Sequence, residues 1–188
     1  MRGLLLVLAL CVAGCPSEEL RGPEQLIDHS LWQRVEAAGT PFAAMEPAEP
    51  PTCADLAVYA APIPTGEAAT TFEIDMCGYV VLQQPSLVEV LEDDILFVRL
   101  WHDQLTVSGD SLTLGLAIGD SIVWDFVLPV PGGSGLEFPD LSTPSAFAEG
   151  EPVTMFLHLA EDSGARHGAN TIDLIDFTRR DPEWEEEE

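Results

Sequence analysis

Beyond residue 53, apolar and polar residues alternate with a period of two through most of the chain. In SLTLGLAI (111–118), Leu112, Leu114, Leu116 and Ile118 fall on one face of an extended strand. SIVWDFVL (121–128) answers with Ile122, Trp124, Phe126 and Leu128. TFEIDM (71–76) sets Phe72, Ile74 and Met76 against Thr71, Glu73 and Asp75. DILFVRLW (94–101) is apolar on nearly both faces, as a central strand should be. Weaker strand patterns cover 55–60, 79–83, 87–91, 104–108, 153–159 and 170–177. About eight to nine short strands with turn signals and no βα alternation predict an all-β fold, an antiparallel β-sandwich or barrel, over residues 53–178. A domain of about 125 residues buries roughly two-thirds of its unfolded surface, enough for a core without a metal.

Gly119-Asp120 joins the two clearest strands and is a strong hairpin signal. A two-residue loop in simple register pairs Leu116 with Val123 and puts the two large apolar sets on opposite faces. A slip of one residue reverses every side chain. Burial of both sets on one face therefore predicts an odd-length loop or a bulge beside the turn.

Two segments break the alternation. Residues 129–152 are too rich in Pro and Gly for a strand or helix interior and are expected to form a long loop. GPEQLIDHSLWQRVEAAG (22–39) places Ile27, Leu31 and Val35 at helical spacing, widened by Leu26 and Trp32, with proline near its start and glycine at its end. It predicts a short helix, followed by a proline-rich linker, MEPAEPPT. Helix and linker make residues 15–52 a tether before the β domain. At the other end, residues 179–188 form an acidic tail, expected to be disordered by self-repulsion.

The chain opens differently. Met1-Arg2-Gly3 is a short positive start, and the apolar run Leu4 to Val12 is about half the ~20 residues a spanning helix needs. That order and length suit the h-region of a secretory signal. Val12-Ala13-Gly14-Cys15 then resembles the lipobox of bacterial lipoproteins: an aliphatic residue, two small residues and a cysteine. The resemblance implies that residues 1–14 are a signal peptide, that Cys11 is discarded with it, and that Cys15 becomes the lipid-bearing first residue. One acyl chain binds a bilayer marginally, at about 0.8 kcal/mol per buried methylene, whereas two or three hold firmly. Pro16 and Ser17 stand where the family's inner-membrane retention signal carries aspartate, which implies the outer membrane rather than the inner one as the place in the cell envelope.

Charge narrows the partners. There are 33 acidic residues against seven arginines and no lysine, a formal net charge of −26. Phosphate binding needs cations on the protein, so nucleic acid is excluded, and so is docking on anionic lipid through a basic patch. Another envelope protein, a polysaccharide or a divalent cation remains compatible.

Candidate chemistry is sparse. Cys53 and Cys77 are the only cysteines of the β domain, and the predicted export route makes a disulfide between them possible. A two-cysteine metal site is the alternative, but it lacks His or Cys partners at ligand spacing. His29, His102, His158 and His167 form no paired ligand motif. PGGSGLE has Leu136 where the nucleophile-elbow pattern needs its second glycine. Glu92, Asp93 and Asp94 adjoin before a strand and could share a calcium ion, or simply be a solvated turn. No motif points to a cofactor. The primary expectation is a membrane-anchored lipoprotein whose β-sandwich serves non-catalytic binding or envelope structure. The alternative is a metal-assisted envelope hydrolase using His167 with Glu161, Asp162 and Asn170. A third reading is carbohydrate binding through exposed aromatics such as Trp101 or Tyr79.

Overall fold

The computed structural model describes residues 21–63, 66–106, 110–160 and 170–184. Twelve strands follow in chain order: β1 (Glu24–Gln25), β2 (Gln33–Arg34), β3 (Val58–Pro62), β4 (Ala68–Glu73), β5 (Tyr79–Pro85), β6 (Ile95–His102), β7 (Ser111–Ile118), β8 (Ser121–Pro129), β9 (Gly135–Glu137), β10 (Asp140–Ser142), β11 (Pro152–Ala160) and β12 (Thr171–Arg180). They form two antiparallel sheets. Sheet A runs β10-β6-β12-β4-β3, with β1 added on β12 and β9 on β6; sheet B runs β2-β5-β11-β7-β8. The inward rows of both sheets merge into one core, with Phe72, Leu96, Leu100, Leu114, Met155, Leu157 and Phe177 fully or almost fully buried.

The β7–β8 hairpin meets its expectation through a bulge. Ile118 pairs with Ser121 and Ala117 with Ile122, but Leu116 then pairs with Trp124, leaving Val123 as the extra residue. Beyond the bulge, Leu112, Leu114 and Leu116 share a face with Trp124, Phe126 and Leu128. Ile122, on the turn side of the bulge, loses its place in that set and is 42% exposed.

The helix expected over 22–39 is absent; among the described residues the only helical piece is a 3-10 turn at Ala43–Met45. The segment is extended and crosses between the sheets, with β1 on β12 and β2 on β5. Leu26 and Ile27 are both buried, while Leu31, at the supposed core spacing, is exposed. Two sheet edges supply hydrogen bonds that outbid a weak helical preference: Leu26 N–H donates to the Phe177 carbonyl, Leu87 N–H to the Leu26 carbonyl, and Val35 N–H to the Val81 carbonyl. Asp28 Oδ1 makes the turn between, accepting from Ser30 N–H (2.8 Å) and Ser30 Oγ (2.6 Å). Residues 22–42 of the supposed tether are thus packed on the sandwich, through Leu26, Ile27, Trp32, Val35, Ala37 and Phe42.

Residues 35–45 then lie over the outer face of sheet B. Phe42 is fully buried, stacks on Phe156 (centroids 5.0 Å apart) and fills the hollow left by Gly115, where a Cβ would stand 2.5 Å from its ring. With Ala37, Val81, Ala117 and Phe156 it makes a second, smaller core.

Other strand expectations change as well. Residues 87–91 and the described part of 104–108 are not strands but offer single bridges, Val90 to Phe147 and Leu105 to Gly132. Their partners come from the stretch 129–152, which also supplies β9 and β10 to the edge of β6. A proline-rich segment can pair there because short edge strands need few N–H donors. Met76, expected inside, is exposed, because β4 ends at Glu73.

Candidate binding face

Cys15 and His167 lie outside the described residues. Cys53 and Cys77 form a disulfide, 24 residues apart, between the run into β3 and the run into β5. The remaining histidines are scattered. His102 is buried on the inner side of sheet A, with Nδ1 3.1 Å from the Asp103 carbonyl. His158 is half-buried on sheet B against Tyr79 and Phe156. His29 fixes the segment between β1 and β2 to sheet A: its Nε2–H donates to the Ile175 carbonyl (3.0 Å), and its Nδ1 accepts from Thr70 Oγ1 (2.9 Å). Ile175 is the bulge residue of β12, so this contact satisfies a carbonyl lost from the ladder. Burial lowers the pKa of both His29 and His158.

The acidic turn is also spent internally. Asp94, 2% exposed, accepts from Arg21 (2.6 Å) and from Leu91 N–H (2.8 Å), and faces Arg179 at 4.0 Å. Among the described residues no group of three or more His, Cys, Asp or Glu is placed to hold a metal.

The outer face of sheet A is different. Its strands bring one residue each into a cross-strand row: Tyr59 (β3), Thr71 (β4), Asp173 (β12), Trp101 (β6) and Leu136 (β9). Tyr59 and Trp101 are 40% and 38% exposed, and Leu136 is exposed beside them. Between the rings, Thr71 Oγ1 donates to Asp173 Oδ1 at 2.5 Å. Burial raises the pKa of Asp173; the Thr71 hydrogen bond opposes this and the Asp103 charge adds to it. Tyr59 O–H donates to Glu73 Oε1 (3.0 Å), and burial first, then Glu73, raises the phenol pKa, so it stays a donor.

Along β6 the same face carries Arg99 and Phe97. Arg99 is clamped between Glu67 (2.7 Å) and Asp176 (2.5 Å), and Asp176 also accepts from Gln25 Nε2 (2.7 Å). Phe97 stacks with exposed Phe138, centroids 6.1 Å apart. At that end lies an open groove of about 500 Å³, lined by Pro23, Gln25, Phe97, Asp140, Thr178, Arg180 and Trp184 among others. Trp184 rests on Gly22, where a Cβ would come within 3.2 Å of its indole nitrogen. Tail residues Asp181 and Trp184 are held there by bonds from Asp181 N–H to the Arg21 carbonyl and from Trp184 N–H to the Asp181 carbonyl.

A second hollow, about 430 Å³, opens between the edges of the two sheets at His29, Trp32, Arg34, Asp55 and Tyr59. Its polar groups are occupied in joining those edges. Trp32 Nε1 donates to Thr70 Oγ1 (2.8 Å), and Arg34 donates to the carbonyls of Cys53 and Ala54. It reads as a seam of the sandwich.

Of the aromatics named from sequence, Trp101 is on the open face, whereas Tyr79 is half-buried beneath residues 35–45, the strap over sheet B. Tyr59, Phe97 and Phe138 were missed, and Trp184 stood out in the tail only as a single aromatic that could meet a partner. For β6 the available signal was the alternation of Phe97, Arg99 and Trp101, hidden by reading the strand as apolar on both sides.

No protein-family model matches the chain, and neither does any curated protein. Among solved structures it is similar to the tailspike protein 4 enzymatically active domain of bacteriophage CBA120 (8% identity, TM-score 0.44), covering 81% of this chain and 20% of that one. It is also similar to the K2 cleaved adhesin domain of Lys-gingipain (12%, 0.43; 80% and 88% covered). A third is the C-terminal CBM6 of LamC, a laminarinase of Zobellia galactanivorans (10%, 0.39; 80% and 98%). At these scores they assign neither a family nor a ligand to this chain.

Proposed function

We propose that this chain is a lipid-anchored protein of the bacterial cell envelope whose β-sandwich binds carbohydrate without catalysis, on the outer face of sheet A. The observation that carries the reading is the row in which exposed Tyr59 and Trp101 flank the Thr71–Asp173 pair. A sugar ring presents an apolar C–H face and an equatorial belt of hydroxyls. Aromatic rings suit the first, and carboxylate and hydroxyl groups held in place suit the second. The face is open and shallow, which suits a polymer better than an enclosed small molecule.

Anchoring rests on the lipobox-like run ending at Cys15, and the outer membrane on Pro16 and Ser17. The Cys53–Cys77 bridge agrees with an oxidising compartment outside the cytosol. Acyl chains on Cys15 would hold the sandwich at the membrane rim, where envelope or extracellular glycans are within reach.

Two experiments test the reading. Cells fed a labelled fatty acid should incorporate it into the wild-type chain and not into Cys15→Ser; equal labelling removes the anchor. The mature protein, purified in detergent, should be retained on insoluble cellulose, chitin or β-1,3-glucan, and Trp101→Ala should lose about tenfold or more in affinity. No retention on any of the three, or full retention by Trp101→Ala, removes the carbohydrate reading.

A further inference from the structure

We infer that the ligand is a linear, uncharged glycan lying along β6, engaged over about three or more rings from Trp101 to the Trp184 groove, and not a single terminal sugar; this rests on the carbohydrate reading above. Trp101, Arg99 and Phe97 alternate outward on one strand. Trp101 and Phe97 are four residues apart, roughly 13 Å at about 3.3 Å per residue, about the run of three linked pyranose rings.

The floor between the two aromatic stations is polar and held in place. Arg99 is fixed by Glu67 and Asp176, and Asp176 by Gln25, so a chain crossing it meets a set of donors and acceptors that need little ordering. At the far end, Phe97, Phe138 and Trp184 give a second apolar station, while Thr178, Asp140 and Arg180 offer hydrogen bonds around it. A monosaccharide would use one station and leave the other idle.

Charge selects among polymers. Glu67, Glu73, Asp140, Asp173 and Asp176 stand on or beside this face. Its two cations, Arg99 and Arg180, already face carboxylates at 2.5–2.7 Å and 3.7 Å. On a chain of net charge −26, no free cation on the described part of this face remains to receive a uronate, sulfate or phosphate group. An anionic polysaccharide is therefore repelled, and a neutral one is not.

The test uses the mature lipoprotein in detergent and calorimetric titration with cello-, chito- and laminari-oligosaccharides of one to six rings, with polygalacturonate as the anionic comparison. Affinity should rise about tenfold or more between two and four rings and then level off. Trp184→Ala should bring the tetramer close to the affinity of the dimer. Phe138→Ser, at an exposed ring, should do the same should Trp184→Ala disturb folding. Trp101→Ala should weaken every length. Dimer and tetramer binding equally well, Trp184→Ala and Phe138→Ser both without effect on the tetramer, or polygalacturonate binding as well as the neutral chains would overturn this inference and leave the carbohydrate reading standing. No binding by any oligosaccharide would overturn both.

Discussion

The outer faces of the two sheets start from the same alternation and end opposite in character. On sheet B, a patch of outward positions is small or apolar, Gly115 and Ala117 on β7, Val81 on β5 and Phe156 on β11, with Thr154 beside it bonded to Gln83. They are useless to water, and residues 35–45 cover them, with Phe42 set into the hollow over Gly115. On sheet A, the outward positions mix rings with carboxylates and hydroxyls; Tyr59 and Trp101 stay exposed on either side of a buried Thr71. One face thus completes the fold, and the other is left for something else. An exposed aromatic on a solvated sheet is more informative than a buried one, because folding has not used it.

The largest expected effect separates these roles. Phe42→Ala should cost about 3–5 kcal/mol of unfolding free energy, measured by urea denaturation, because it empties the second core. Glycan binding under native conditions should remain. A parallel loss of binding would mean that the two faces are not independent. Next comes the bridge that holds the chain after the strap. Cys53→Ser/Cys77→Ser should lose about 3 kcal/mol, from the loop closed in the unfolded chain, again without changing affinity.

Protonation should move the faces in opposite directions. Burial favours neutral His158 on the covered face, so its folded-state pKa lies below the ordinary 6.5. The folded state then binds fewer protons than the unfolded one, and this contribution is present above pH 6.5 and lost as pH falls through the lowered value. His158→Gln should flatten the fall in melting temperature between pH 7 and 5. Asp173, on the open face, has its pKa raised above 3.8 by burial. Its contribution is present below 3.8 and lost as pH rises through the raised value. Asp173→Asn should therefore raise the melting temperature slightly at pH 7 and bring no gain below pH 3.8. The smallest effect is the sharpest contrast with Phe42: Trp101→Ala should change stability by no more than about 0.5 kcal/mol. A loss of several kcal/mol would place that ring in the fold, not in a binding face.

Much of the strand order was legible because period-two alternation marks a half-buried strand wherever it falls, and β7 and β8 were readable almost to the residue. The bulge at Val123 could be argued as well, since only one register stacks both apolar sets. Residues 22–39 misled because Ile27, Leu31 and Val35 satisfy helical spacing by coincidence; what decided the outcome was two distant sheet edges with unpaired backbone groups. The binding face was less legible still. Trp101 could be named, but Tyr59 lies 42 positions earlier and Trp184 sits in a tail whose charge suggested disorder.

By itself, the order of residues determined the all-β class, the β7–β8 hairpin and the need for an odd loop or a bulge beside its turn, since these depend on side chains a few positions apart. Which sheet face would be roofed and which would keep exposed rings was decided only by tertiary structure. That outcome depends on a segment near the start of the chain meeting Gly115 and Phe156, and on five strands from across the sequence meeting in one row, and neither encounter leaves a mark in local periodicity.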